Sequence, residues 1–116
     1  MTSRQYAKAK GSKWERDVTE FLKPYFVYAE KAPRWGSKDK GDLVGTGIFT
    51  VECKAEKTIT LASYMNEAVV EAANVGPDQI PVCFVKRRGK GVADGYAVFR
   101  IEDARLLMSA FNQTRM

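Results

Sequence analysis

The segment from Gly41 to Lys54 constrains the fold of this chain most. Two short apolar runs, Leu43-Val44 and Ile48 to Val51, flank Gly45-Thr46-Gly47. Glycine enters left-handed backbone conformations without a Cβ penalty, and a three-residue loop with glycine in that position is a common hairpin closure. The segment therefore reads as strand, turn, strand. Side chains alternate along a strand, so Val51 and Cys53 leave one face of the returning strand and Glu52 and Lys54 the other. With all three loop residues in the turn, Val44 pairs with Ile48 and Asp42 lies opposite Thr50. That register sets Asp42 on the face of Glu52 and Lys54, so two carboxylates and an ammonium meet at one strand end.

The pattern around this hairpin predicts an α/β chain in the order αβββαββα, a mixed sheet with helices on its faces. Ser12-Lys13-Trp14-Glu15 has the form of a capping box and places a helix start near Lys13. Trp14, Val18, Phe21 and Leu22 form its apolar stripe, and Pro24 ends it. Residues 1–11 carry Arg4, Lys8 and Lys10 with few apolar groups and are expected to form a frayed basic N-terminal arm, leaving 12–116 as the domain. Phe26 to Lys31 reads as a first strand, and Ala32 to Lys40 as a cationic loop before the hairpin. A second helix follows, capped by Thr58 or Thr60. In it Leu61, Tyr64, Met65, Ala68, Val69, Ala72 and Val75 recur at helical spacing, and Gly76-Pro77 closes it. Pro81 to Lys86 is an apolar run that suits a buried strand. Lys86 to Gly91 makes a cationic turn, Gly95 to Ile101 a further strand, and Glu102 to Phe111 a short last helix.

Composition narrows the chemistry. The 116 residues suit one domain, large enough to bury about two thirds of its unfolded-chain surface. The 19 Lys and Arg outnumber 14 Asp and Glu, a net charge of +5 compatible with a polyanionic partner. Histidine is absent, which excludes His-metal nucleases, His-ligated zinc fingers, Ser-His-Asp triads and imidazole acid–base ribonucleases. Cys53 and Cys83 are too few for a disulfide framework or a tetrahedral zinc site, and read as buried reduced thiols. No apolar run reaches the length of about 18 residues that a transmembrane helix needs. The N-terminus lacks an apolar signal core, so the expected location is cytoplasmic, without membrane association.

Any phosphodiester chemistry in such a chain must use carboxylates, lysine and metal. Asp42 and Glu52 form an oxygen-rich site of the kind that hard divalent cations favour, and bound ions there would orient and activate water. Lys54 would position that water or offset charge on the scissile phosphate. Taken singly, Asp42 could be a turn residue, Glu52 a solvated strand position and Lys54 a surface lysine. Their common face favours the functional reading.

Asp42 followed ten residues on by Glu52-x-Lys54 resembles the PD-(D/E)xK nuclease signature, with Lys40-Gly41 where the family name has a proline. Three flanking stretches narrow the resemblance: Lys10-Gly11-Ser12-Lys13-Trp14-Glu15-Arg16, Arg34-Trp35-Gly36-Ser37-Lys38, and Ile80 to Val85. In that order they resemble the archaeal-type Holliday-junction resolvases and their phage relatives, over residues 10–105. The resemblance implies a restriction-endonuclease-like mixed β-sheet flanked by helices. It implies a structure-specific DNA endonuclease that uses Mg2+, or Mn2+ as a substitute, to hydrolyse four-way junctions. It also adds Glu15 to the metal site, in competition with a capping role, and the backbone carbonyl of Cys53 to the metal shell.

Arg16, Arg34, Lys38 and Lys40 are expected phosphate contacts, since arginine grips a phosphate through two parallel hydrogen bonds. Ser37 and Lys57 extend the DNA-binding set. The Lys86 to Gly91 turn is either a solubilising tip or a second DNA contact; Trp35 is a base-stacking, core or dimer residue. A junction offers two equivalent phosphodiesters, which suggests a C2 homodimer, with Val70 and Ala73 widening the apolar surface of the second helix. A phage-encoded copy would work in the host cytoplasm. The rival readings are a nickase, a flap or fork nuclease, a restriction-like enzyme, or a non-catalytic nucleic-acid-binding module.

Overall fold

The structure, a computed structural model, describes residues 1–115. Helix α1 spans Ser3–Leu22 and starts well before Lys13. Its capping box is Thr2 with Gln5: the Gln5 N–H donates to Thr2 Oγ1 at 3.2 Å and the Thr2 N–H to Gln5 Oε1 at 2.8 Å. Residues 3–11 are therefore helix, not a frayed arm, because Gln5, Ala7, Lys8, Ala9 and Lys10 are good helix formers and extend the turn that Thr2 opens. Trp14 and Val18 bury its apolar stripe.

Two short strands follow, β1 (Glu30–Lys31) and β2 (Leu43–Val44), paired antiparallel. The expected strand from Phe26 shrinks to its last two residues, because the Ala29 N–H folds back onto the Phe26 carbonyl in a turn. The expected hairpin register is also replaced. Val44 pairs with Glu30 rather than Ile48, and the Asp42 N–H donates to the Val51 carbonyl at 2.8 Å. The loop is longer than three residues: Ile48 belongs to it, and β3 runs only from Phe49 to Lys54.

Helix α2 (Leu61–Val75) has Thr60 as N-cap residue and Gly76 at its end. It connects β3 to β4 (Ile80–Val85), which pairs parallel to β3 with Glu52 beside Cys83. A parallel pair needs such a crossover. The single turn Val92–Asp94 leads to β5 (Tyr96–Val98), antiparallel to β4, and then to α3 (Ile101–Arg115), longer than the predicted last helix. The fold is thus α/β, with three α-helices, a two-stranded sheet and a mixed three-stranded sheet among the described residues.

The two faces of β3 take different covers. Trp14 and Val18 of α1 form one core with Leu43, Val51 and Val82, and Phe49 and Cys53 pack against it. On the other side Tyr64 of α2 packs with Cys83 and Val85. Alternation along β3 therefore sends Cys53 toward α1 and Glu52 and Lys54 under α2.

Candidate functional site

Asp42 stands at the free edge of β3. Gly41 makes this approach possible: its φ is +97°, and a Cβ there would meet the Val51 carbonyl oxygen at 3.0 Å and Thr50 Cγ2 at 3.1 Å. Trp35 pins the loop by donating from Nε1 to the Gly41 carbonyl at 2.7 Å, and Asp39 Oδ1 accepts from the Gly41 N–H at 2.9 Å. Trp35 is thus a half-buried brace for the loop carrying Asp42.

Asp42 Oδ2 accepts the Cys53 N–H at 2.7 Å. The N–H and carbonyl of one strand residue point to the same edge, so the Cys53 carbonyl also faces the Asp42 side. Glu52 reaches Asp42 from the α2 side of the sheet, and Glu15 reaches it from α1. Glu15 is not consumed by a capping box: its carboxylate lies 3.5 Å from Lys31 Nζ, which also donates to Ser12 Oγ at 2.9 Å. Glu15, Asp42, Glu52, Cys53 and Lys54 line a single cleft of about 450 Å³, with Lys8, Lys31 and Glu67 on its walls.

The electrostatics of this cleft are those of crowded acids. Burial raises the Asp42 carboxyl well above the usual range, and the adjoining Glu52 raises it further, against a smaller opposing effect of the Cys53 N–H. Burial likewise raises Glu52; contact with Asp42 opposes the rise, and Glu71 adds to it. Glu15 is raised by burial and by Asp42, with Lys31 opposing. Burial pulls Lys54 down, but Glu67 at 2.8 Å and Glu52 outweigh it, so the ammonium is held more firmly protonated than usual. The Cys53 thiol is pushed up by burial and the surrounding carboxylates, which removes it as a nucleophile.

Glu67 and Glu71 of α2 belong to this neighbourhood and did not stand out in the sequence. The signal was there: Glu71 falls seven residues after Tyr64 and three after Ala68, inside the buried stripe of α2. An acid at an apolar position of an amphipathic helix asks for a partner.

The expected DNA contacts are spread over the surface. Arg16, Arg34, Ser37, Lys38, Lys40 and Lys57 are all exposed, and Lys40 lies over the Trp35 ring at 5.7 Å. Lys57 joins Lys10, Lys86, Arg87 and Arg88 around a second cleft of about 480 Å³. Lys86 lies over Trp14 and Arg87 over Tyr96, which fixes the base of the cationic turn. The two clefts adjoin: Glu52 to Lys54 line the acidic one, Ala55 to Lys57 the basic one, and α1 contributes to both. Among the described residues no helix is long and apolar enough to cross a membrane. Against known proteins, the chain matches no family model, no curated protein and no solved structure.

Proposed function

We propose that this chain is a divalent-metal-dependent endodeoxyribonuclease of the PD-(D/E)xK kind, with a restriction-endonuclease-like fold, that cuts four-way DNA junctions as a homodimer. The observation that carries the reading is the place of Asp42, touched by Glu52 from one side of the sheet and by Glu15 from the other, with Lys54 in the same cleft. Glu52 Oε2 is buried with no hydrogen-bond donor among the described residues. An all-oxygen donor set with an orphaned buried carboxylate oxygen fits Mg2+ or Mn2+ better than a soft metal.

Glu15, Asp42, Glu52 and the Cys53 carbonyl would hold the ion. Bound there, it would polarise the phosphate and lower the pKa of an attacking water. Lys54, kept cationic by Glu67 and Glu52, offers positive charge to the phosphate where negative charge grows. Lys10, Lys57, Lys86, Arg87 and Arg88 offer neighbouring phosphates a basic path leading out of the acidic cleft. Two copies related by a two-fold axis would present two such clefts to the two equivalent strands of a junction.

The test is cleavage of four-way, flap and linear DNA with Mg2+ and with EDTA. Junction cutting with Mg2+, none in EDTA and none by Glu52→Ala at undiminished DNA binding is the expected result. Full activity in EDTA, or near wild-type cutting by Glu52→Ala, overturns the reading. A preference for flaps keeps the chemistry and replaces the substrate.

A further inference from the structure

The chemistry above leaves Glu71 unexplained. Glu71 sits on α2 one turn after Glu67, on the face that covers β3, and is only 2% exposed. Among the described residues no donor group reaches either of its carboxylate oxygens or Oε2 of Glu52, and the Glu52 carboxyl itself is the polar group in contact with it. A buried polar group left unsatisfied costs about 1–3 kcal/mol, and more when charged. An alanine or leucine would pack at this position without that penalty, so a carboxylate there needs a reason.

The geometry suggests one. A single oxygen from each of Glu52, Glu67 and Glu71 can be chosen so that all three lie within 4.8 Å of one another. Two oxygens on one calcium ion stand at most about 5 Å apart, and on one magnesium ion about 4.2 Å. Each pair of these oxygens thus lies within the spacing that a larger divalent ion allows. They reach a smaller one only after an inward swing of Glu67, whose side chain is 48% exposed, that breaks its ion pair with Lys54. Lys54 holds Glu67 at 2.8 Å and keeps it at the mouth of the cleft.

We propose that Glu52, Glu67 and Glu71 form a second divalent-cation subsite on the α2 side of Glu52, with Glu52 shared between it and the subsite at Asp42. This rests on the reading of the acidic cleft as a metal site. It adds that the cleft holds two ions, the second one anchored from α2. A glutamate at 71 is then a ligand placed from above the sheet, and its burial keeps water from competing for the same position.

The competing cause is a proton shared between Glu52 and Glu71, and glutamine separates the two. Glu71→Gln keeps the shape and can donate to Glu52, but it is a poor ligand. Mn2+ titration of the intact protein at neutral pH, with free Mn2+ read by electron paramagnetic resonance, counts bound ions without reference to cleavage. Wild type should bind two ions, and Glu71→Gln and Glu67→Gln one each, with the lost ion weakened at least tenfold. Glu67→Gln changes a half-exposed side chain, so its result stands even if Glu71→Gln folds poorly. Wild-type stoichiometry in both variants, with one ion lost in Asp42→Asn, rejects the α2 subsite and leaves the nuclease reading intact. No Mn2+ bound by wild type brings down the metal-nuclease reading itself, and this subsite with it.

Discussion

Asp42 accepts the Cys53 N–H while facing two further carboxyls, and that placement sets function against stability. Its carboxyl is raised from 3.8 to about 8 and that of Glu71 from 4.5 to about 7, in both cases mainly by burial. A carboxyl raised in the folded state contributes its stability in full below the unfolded pKa and loses it as pH rises through the folded one. The metal-free protein should therefore melt at progressively lower temperature from about pH 4 to pH 8, and Mg2+ or Mn2+ should reverse much of that loss. Thermal denaturation in EDTA across this range checks it; a melting point that is flat or rises with pH contradicts it. Asp42→Asn keeps an oxygen for the Cys53 N–H and removes the charge. At pH 8 in EDTA it should gain about 1 kcal/mol, or about 4–6 °C, while losing all cutting. Glu52 and Lys54 were legible as a pair because strand alternation is strictly local, whereas Asp42 was added through a hairpin register that the structure replaces. Glu71 was not legible, because its meaning depends on which element α2 covers.

At the scale of elements, the link from β2 to β3 depends on glycine at Gly45. Its φ is +78°, and a Cβ added there would lie 2.1 Å from the Tyr28 carbonyl oxygen, so both backbone conformation and space exclude a side chain. Gly45→Ala should cost about 2 kcal/mol or more and displace the end of β2, lowering cleavage with it. Urea denaturation with the midpoint compared to wild type tests this; an unchanged midpoint would mean that the loop relaxes freely. The Gly-Thr-Gly turn was readable from sequence, but its partner was not. Thr46 and Leu43 are buried by long-range packing, and Glu30 takes the pairing with Val44 that a local hairpin would have given to Ile48. The start of α1 was misplaced for a related reason: two capping boxes, at Thr2 and at Ser12, compete, and the helix-forming run between them lets the earlier one win.

At the scale of the whole molecule, the basic cleft beside the acidic one should set the salt dependence of the proposed DNA binding. Lys57 and Arg88 are both exposed on its walls. Reversing both to glutamate should weaken junction binding and lower the slope of log K against log salt by about 2, the loss of two phosphate contacts. An unchanged slope would turn this cleft away from DNA. The proposed homodimer would find an exposed apolar surface on α3, where Ile101, Met108 and Phe111 recur at helical spacing with exposures of 86%, 71% and 61%. Sedimentation equilibrium should give a dimer for wild type and a monomer for Met108→Glu with Phe111→Glu. A wild-type monomer with and without a four-way junction removes the homodimer and favours a nickase. The sequence by itself determined the α/β character, the β3–α2–β4 unit, the exclusion of imidazole chemistry and the face shared by Glu52 and Lys54. These follow from residue types and from periodicities that operate over a few positions. Only the tertiary structure decided that Glu15 and Asp42 meet across the edge of β3, that Glu71 is buried against Glu52, and that Lys57 faces the cationic turn. Each of these joins residues from different elements, and periodicity says which face a side chain leaves but not what comes to cover it.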